Sequence, residues 1–97
     1  MKIYTLKKST RKGKRFQLTN ERGKTIHFGS DVGSTFIDHQ DEKKKSAWEA
    51  RHKGDKGYNN KSSGIYYSKM LLWTEPTLNK AISSLEKKDG IKIIYKL

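Results

Sequence analysis

Apolar and polar residues alternate three times in the first third of the chain, and each run is closed by a turn. Lys2 to Lys7 carries Ile3, Tyr4, Thr5 and Leu6, all residues that favour strands. Arg15 to Thr19 places Phe16 and Leu18 on one face, with Arg15, Gln17 and Thr19 on the other. Lys24 to Gly29 repeats the pattern with Ile26 and Phe28 opposite Thr25 and His27. Between the runs lie Arg11-Lys12-Gly13-Lys14 and Asn20-Glu21-Arg22-Gly23, both turn-forming, and Gly23 is suited to a positive φ. The pattern predicts an antiparallel meander with one wet face.

The period then changes. Gly29 to Ser34 reads as a loop of small residues. Asp38 to Lys53 suits one helix, with Asp41 and Glu42 near its start and Arg51, His52 and Lys53 near its end, the order that complements the helix dipole. Ala47, Trp48 and Ala50 would form its apolar side. Gly54 to Gly64 is rich in glycine, asparagine and serine and predicts a loop. Ile65 to Trp73 is apolar on nearly every side, and periodicity alone leaves helix and buried strand both open, with helix preferred. After Thr74-Glu75-Pro76-Thr77, the spacing of Leu78, Ala81, Ile82 and Leu85 gives one helical face, which Asp89-Gly90 ends. Ile91 to Leu97 closes the chain as a strand, with Ile91, Ile93, Tyr95 and Leu97 inward. The expectation is a single α+β domain over residues 1–97. Its antiparallel sheet would take three N-terminal strands and the C-terminal one, with two or three helices packed on one face.

Composition adds charge to this picture. The 97 residues include 22 Lys and Arg against 10 Asp and Glu, a formal net charge of +12, and 32% are hydrophobic. So one-sided a balance concentrates anionic partners around the protein and favours nucleic acid first, then anionic membrane, then acidic protein surfaces. With no cysteine, disulfides, thiolate catalysis and cysteine-type zinc sites are excluded. No run approaches a membrane span, and Met1 to Lys8 lacks the apolar stretch of a signal peptide. A soluble intracellular protein, or one packaged in a particle made inside a cell, is expected.

The candidate binding residues follow from the charge. Lys7, Lys8, Arg11, Lys12, Lys14, Arg15, Arg22 and Lys24 fall within the meander, and Lys43, Lys44, Lys45 and Arg51 lie on the predicted helix. Clustered, such side chains track a phosphate backbone and release its counterions, although a few of them could serve only to protect sheet edges. Of the aromatics, Tyr58 in the predicted loop is the one placed to stack on a base, the others falling on apolar faces. His27, Asp31, Asp38, His39, Asp41 and His52 form a loose set of metal-ligand types, but the spacing matches no metal motif, and neither metal nor cofactor is expected. A nuclease-like enzyme using His39, Asp41 and His52 is the weakest reading, and a non-enzymatic protein is expected.

Taken together, His27-Phe28-Gly29-Ser30, Asp38-His39-Gln40-Asp41, Arg51-His52 and Leu71-Leu72-Trp73-Thr74-Glu75-Pro76-Thr77 resemble an uncharacterised family of short basic proteins from large double-stranded DNA viruses of algae and amoebae. The resemblance covers about residues 26 to 82. Trp48 stands where the family pattern has Tyr, and Lys43-Lys44-Lys45 replaces a more mixed basic stretch. The resemblance implies a viral setting and brings no activity. It also implies that His39, Asp41, Arg51 and His52 act together, as a polar cluster fixing the helix against the His27-Phe28-Gly29 strand. The function expected is sequence-independent binding of nucleic acid, DNA before RNA, in association with a genome or virion. The alternatives are a minor virion protein bridging acidic protein surfaces and a viral inhibitor of a host complex.

Overall fold

The computed structural model describes residues 2–96. Its strands are β1 (Lys2–Lys8), β2 (Lys14–Thr19), β3 (Thr25–Ser30) and β4 (Ile91–Lys96), in the sheet order β3-β2-β1-β4. Between β3 and β4 come the helices α1 (Phe36–His39), α2 (Glu42–His52), α3 (Gly64–Ser68), a π-helical segment (Lys69–Trp73) and α4 (Leu78–Asp89). The α+β class holds, with the helices more numerous than the sequence pattern suggests.

The sheet is mixed rather than antiparallel. β1, β2 and β3 form the expected meander, whereas β4 lies parallel to β1, from Lys2 opposite Ile91 to Lys7 opposite Lys96. The physical reason is the long helical crossover between β3 and β4, the kind of connection a parallel pair requires.

One face of the sheet meets the helices. Leu6, Phe16, Leu18, Phe28, Ile91 and Ile93 are buried there against Tyr66, Tyr67, Leu71, Leu72, Ala81 and Leu85. At about 1.5–3 kcal/mol for each large apolar side chain removed from water, this cluster is the main source of stability. The opposite face carries Thr5, Thr19 and Thr25 in register, Lys7, and the exposed Ile3 and Ile94. Gln17, on that same face, is nevertheless buried, because Thr10 donates its N–H and its hydroxyl to Gln17 Oε1 at 3.0 and 3.3 Å. Tyr95 lies on the helix-facing side expected of it, opposite Leu6, but is 36% exposed. Leu97, also expected inward, lies outside the described residues.

The helix expected over 38–53 is two helices. Thr35 donates its N–H and its hydroxyl to Asp38 Oδ2 at 2.8 and 3.0 Å, which starts α1 early. Gln40 then takes a left-handed conformation (φ 53°) and ends it. Asp41 accepts the N–H groups of Lys43 and Lys44 and starts α2. Ala47 and Ala50 are exposed, so Trp48 alone is the buried residue of α2. Residues 65–73 are helical, the preferred alternative, but the second half widens to π geometry and buries four consecutive side chains, Met70 to Trp73. Thr74 Oγ1 donates to the Lys69 carbonyl at 2.7 Å, which closes this turn with a side-chain bond. Gly29 sits where the helical layer comes close against the sheet. Its φ is +76°, and a Cβ there would lie 2.9 Å from Leu72 Cδ1.

Candidate functional site

The turn between β1 and β2 is braced from within. Ser9 accepts the Arg11 N–H at 3.0 Å and bonds His27 Nδ1 at 2.7 Å, and Lys14 N–H donates to the Arg11 carbonyl at 3.2 Å. The Asp31 N–H reaches the Gly13 carbonyl at 3.3 Å, so the loop after β3 lies beside the turn. Between them is an open cleft of about 640 Å³, with Lys8, Arg11, Lys12 and Lys14 along its walls. Among the described residues these four cations make no ion pair. Asp31 is an exposed acid of the same cleft.

Arg15 also borders the cleft but is otherwise committed. Its guanidinium grips Asp38 with two hydrogen bonds of 2.7 and 2.8 Å and donates to Thr35 Oγ1 at 3.2 Å. The Arg15 hydrogen bonds hold the Asp38 carboxyl well below the usual carboxylate range, against the opposing effect of burial and with help from the Thr35 donors. Lys45, half-buried, is likewise committed. Its Nζ donates to the Thr74 carbonyl at 2.9 Å and stands 4.9 Å from the centre of the Phe36 ring.

The remaining candidates fall into separate places. Lys7 and Lys8 end β1 next to the cleft, and the parallel β4 sets Lys96, which charge along the sequence did not single out, directly beside Lys7. Arg22 and Lys24 belong to the turn at the far end of β2, about 20 Å away at the rise of a strand. Asn20 Oδ1 holds that turn by accepting the N–H groups of Arg22 and Lys24. Lys43 and Lys44 are exposed in the first turn of α2, where a cation opposes the helix dipole, and Arg51 is exposed in its last turn. The structure thus gathers Lys7, Lys8, Arg11, Lys12, Lys14 and the paired Arg15 at one end of the sheet and disperses the rest.

The His and carboxylate residues do not form a shared polar cluster. His39 Nδ1 accepts the Asp41 N–H at 2.9 Å, so its proton resides on Nε2, which is buried without a hydrogen-bond partner. The His39 ring packs edge-to-face with Trp73, with centroids 5.5 Å apart. His52 bonds Asp55 at 2.7 Å and lies 4.6 Å from Trp48. Trp48 and Trp73 stack at 5.1 Å and 12°, so the two imidazoles brace one indole pair. Tyr58, the residue expected to stack on a base, is half-buried against Trp48 and beneath Lys69 Nζ, 4.3 Å from its ring centre. Burial pushes its hydroxyl pKa up. Among the described residues no three metal-ligand side chains converge, and no helix is long and apolar enough to cross a membrane.

Residues 4–52 match a family of unknown function, DUF5754. The matched stretch runs from β1 to the end of α2 and contains the basic turn, the Arg15–Asp38 pair, Trp48 and His52. No curated protein and no solved structure matches the chain.

Proposed function

The chain belongs to the family DUF5754, and we propose that it is a non-enzymatic protein that binds nucleic acid through the basic end of its sheet. The observation that carries this reading is the set of cations Lys8, Arg11, Lys12 and Lys14, which make no ion pair among the described residues, around one braced cleft with Lys7 beside it. Lysine ammonium groups and an arginine guanidinium on a turn donate to phosphate oxygens, contacts that position a nucleic acid without reading its bases. Binding is then largely independent of sequence. The structural employment of His39 and Asp41 supports binding without chemistry. DNA is the first partner to test, because the motif resemblance is to proteins of DNA viruses. The same resemblance suggests an intracellular setting in the host and association with a packaged genome.

Equilibrium binding of the purified protein to a labelled duplex at several salt concentrations tests the reading. Affinity should fall steeply with salt, with a log–log slope of about −0.9 for each phosphate neutralised. Absence of binding at low salt would refute it and turn attention to an acidic protein surface.

A further inference from the structure

The basic cleft continues into a second, apolar recess. Lys8 and Arg15 line both, and the recess of about 290 Å³ is completed by Phe16, Tyr95 and Lys96. Phe16 is buried and forms its floor, while Tyr95 is 36% exposed and meets Phe16 edge-to-face with centroids 6.2 Å apart. On the helix-covered side of the sheet, Lys8 lies opposite Phe16 and Tyr95 opposite Leu6. At this end Tyr95 and Lys8 are exposed, so the helices leave them uncovered.

We infer that the Phe16–Tyr95 recess is a stacking subsite for one base of a single-stranded nucleic acid whose adjoining phosphates lie in the basic cleft. The inference rests on the nucleic-acid reading and deepens it. Three chemical features support the assignment. A partly exposed tyrosine offers a π surface that accepts any base, so stacking adds affinity without sequence preference. The cations Lys8, Arg15 and Lys96 surround the apolar floor, which matches a flat apolar ring carried on an anionic chain. The sharing of Lys8 and Arg15 between recess and cleft makes the base and phosphate positions contiguous. A base within a duplex is stacked on its neighbours and cannot enter, so the recess should distinguish single strands from duplexes.

Binding of a labelled mixed-sequence single strand and of its duplex is measured at one salt concentration for the full chain and for Tyr95→Ala, Tyr95→Leu and Tyr95→Phe. Tyr95→Ala and Tyr95→Leu should each weaken single-strand binding by about 5- to 20-fold, the lower part of the range for a lost base–aromatic stack. Duplex binding should be unchanged, and Tyr95→Phe should retain the single-strand affinity. Tyr95→Leu keeps the apolar bulk against Phe16 and covers the case in which the alanine variant does not fold. Equal losses on both strands, or no loss while binding persists, would overturn the subsite and leave the basic cleft standing. Failure of the unsubstituted protein to bind either strand would overturn both readings.

Discussion

Arg15 in β2 and Asp38 in α1 are joined by two hydrogen bonds of 2.7 and 2.8 Å, the same Asp38 that receives the Thr35 N–H at the start of α1. One carboxylate thus fixes both the first helix and its attachment to the sheet. Its pKa is lowered chiefly by Arg15, so the stabilisation is complete above the unfolded value near 3.9. It is lost progressively as pH falls below about 4 towards the folded value. The melting temperature should therefore drop on acidification, and Asp38→Asn should flatten that part of the profile. At neutral pH Asp38→Ala should cost about 1–2 kcal/mol, from a lost helix-start contact and a half-exposed ion pair. Urea denaturation of the variant checks the figure.

Trp48 is the sole buried side chain by which α2 meets the rest of the molecule, through its stack on Trp73. Trp48→Ala should cost about 3–5 kcal/mol, as for other large aromatic truncations in a core. In a chain this small that loss threatens folding altogether. Trp48→Phe should be milder, and chemical denaturation followed by circular dichroism separates the two.

Much of the scaffold was legible because burial on one face imposes a period. The alternation around Phe16, Leu18, Ile26 and Phe28, and the spacing of Leu78, Ala81, Ile82 and Leu85, both survive in the structure. The early start of α1 also had a local signal in Thr35-Phe36-Ile37-Asp38, which the apparent continuity of the helical stretch from Asp38 outweighed. The direction of β4 had none, since a strand's own sequence does not state which neighbour it joins or in which sense. That missing relation hid Lys96 beside Lys7 and the exposure of Tyr95. The separation of Arg22 and Lys24 from the other cations was available in principle, because successive turns of a meander lie at opposite ends of the sheet. Charge read along the chain merges what the fold divides.

Asp89 ends α4, where a carboxylate opposes the helix dipole, yet its side chain is only 5% exposed. The Tyr66 hydroxyl lies 3.1 and 3.0 Å from its two oxygens, and Lys61 Nζ stands 3.4 Å away. Tyr66→Phe leaves the buried acid short of a donor and should cost about 1–3 kcal/mol in urea denaturation.

The same tyrosine predicts alkaline behaviour. Burial, then Asp89, pushes the Tyr66 hydroxyl pKa up, and burial, then Tyr4, does the same for Tyr67. A raised folded value gives stability that is complete below the unfolded pKa near 10 and lost above it. The melting temperature should fall above pH about 10, and less so in Tyr66→Phe.

The central claim is that phosphate contacts concentrate at the β1–β2 end of the sheet. Its most direct test compares salt dependence of DNA binding for two variants, Arg11→Ala/Lys12→Ala/Lys14→Ala and Arg22→Ala/Lys24→Ala. The triple variant should weaken binding and reduce the magnitude of the log–log slope by roughly 2–3, at about 0.9 for each phosphate contact removed. The double variant, at the far end of β2, should keep the original slope. An unchanged slope in the triple variant, or an equal loss per charge in both, would contradict a localised site and reduce the interaction to net charge alone.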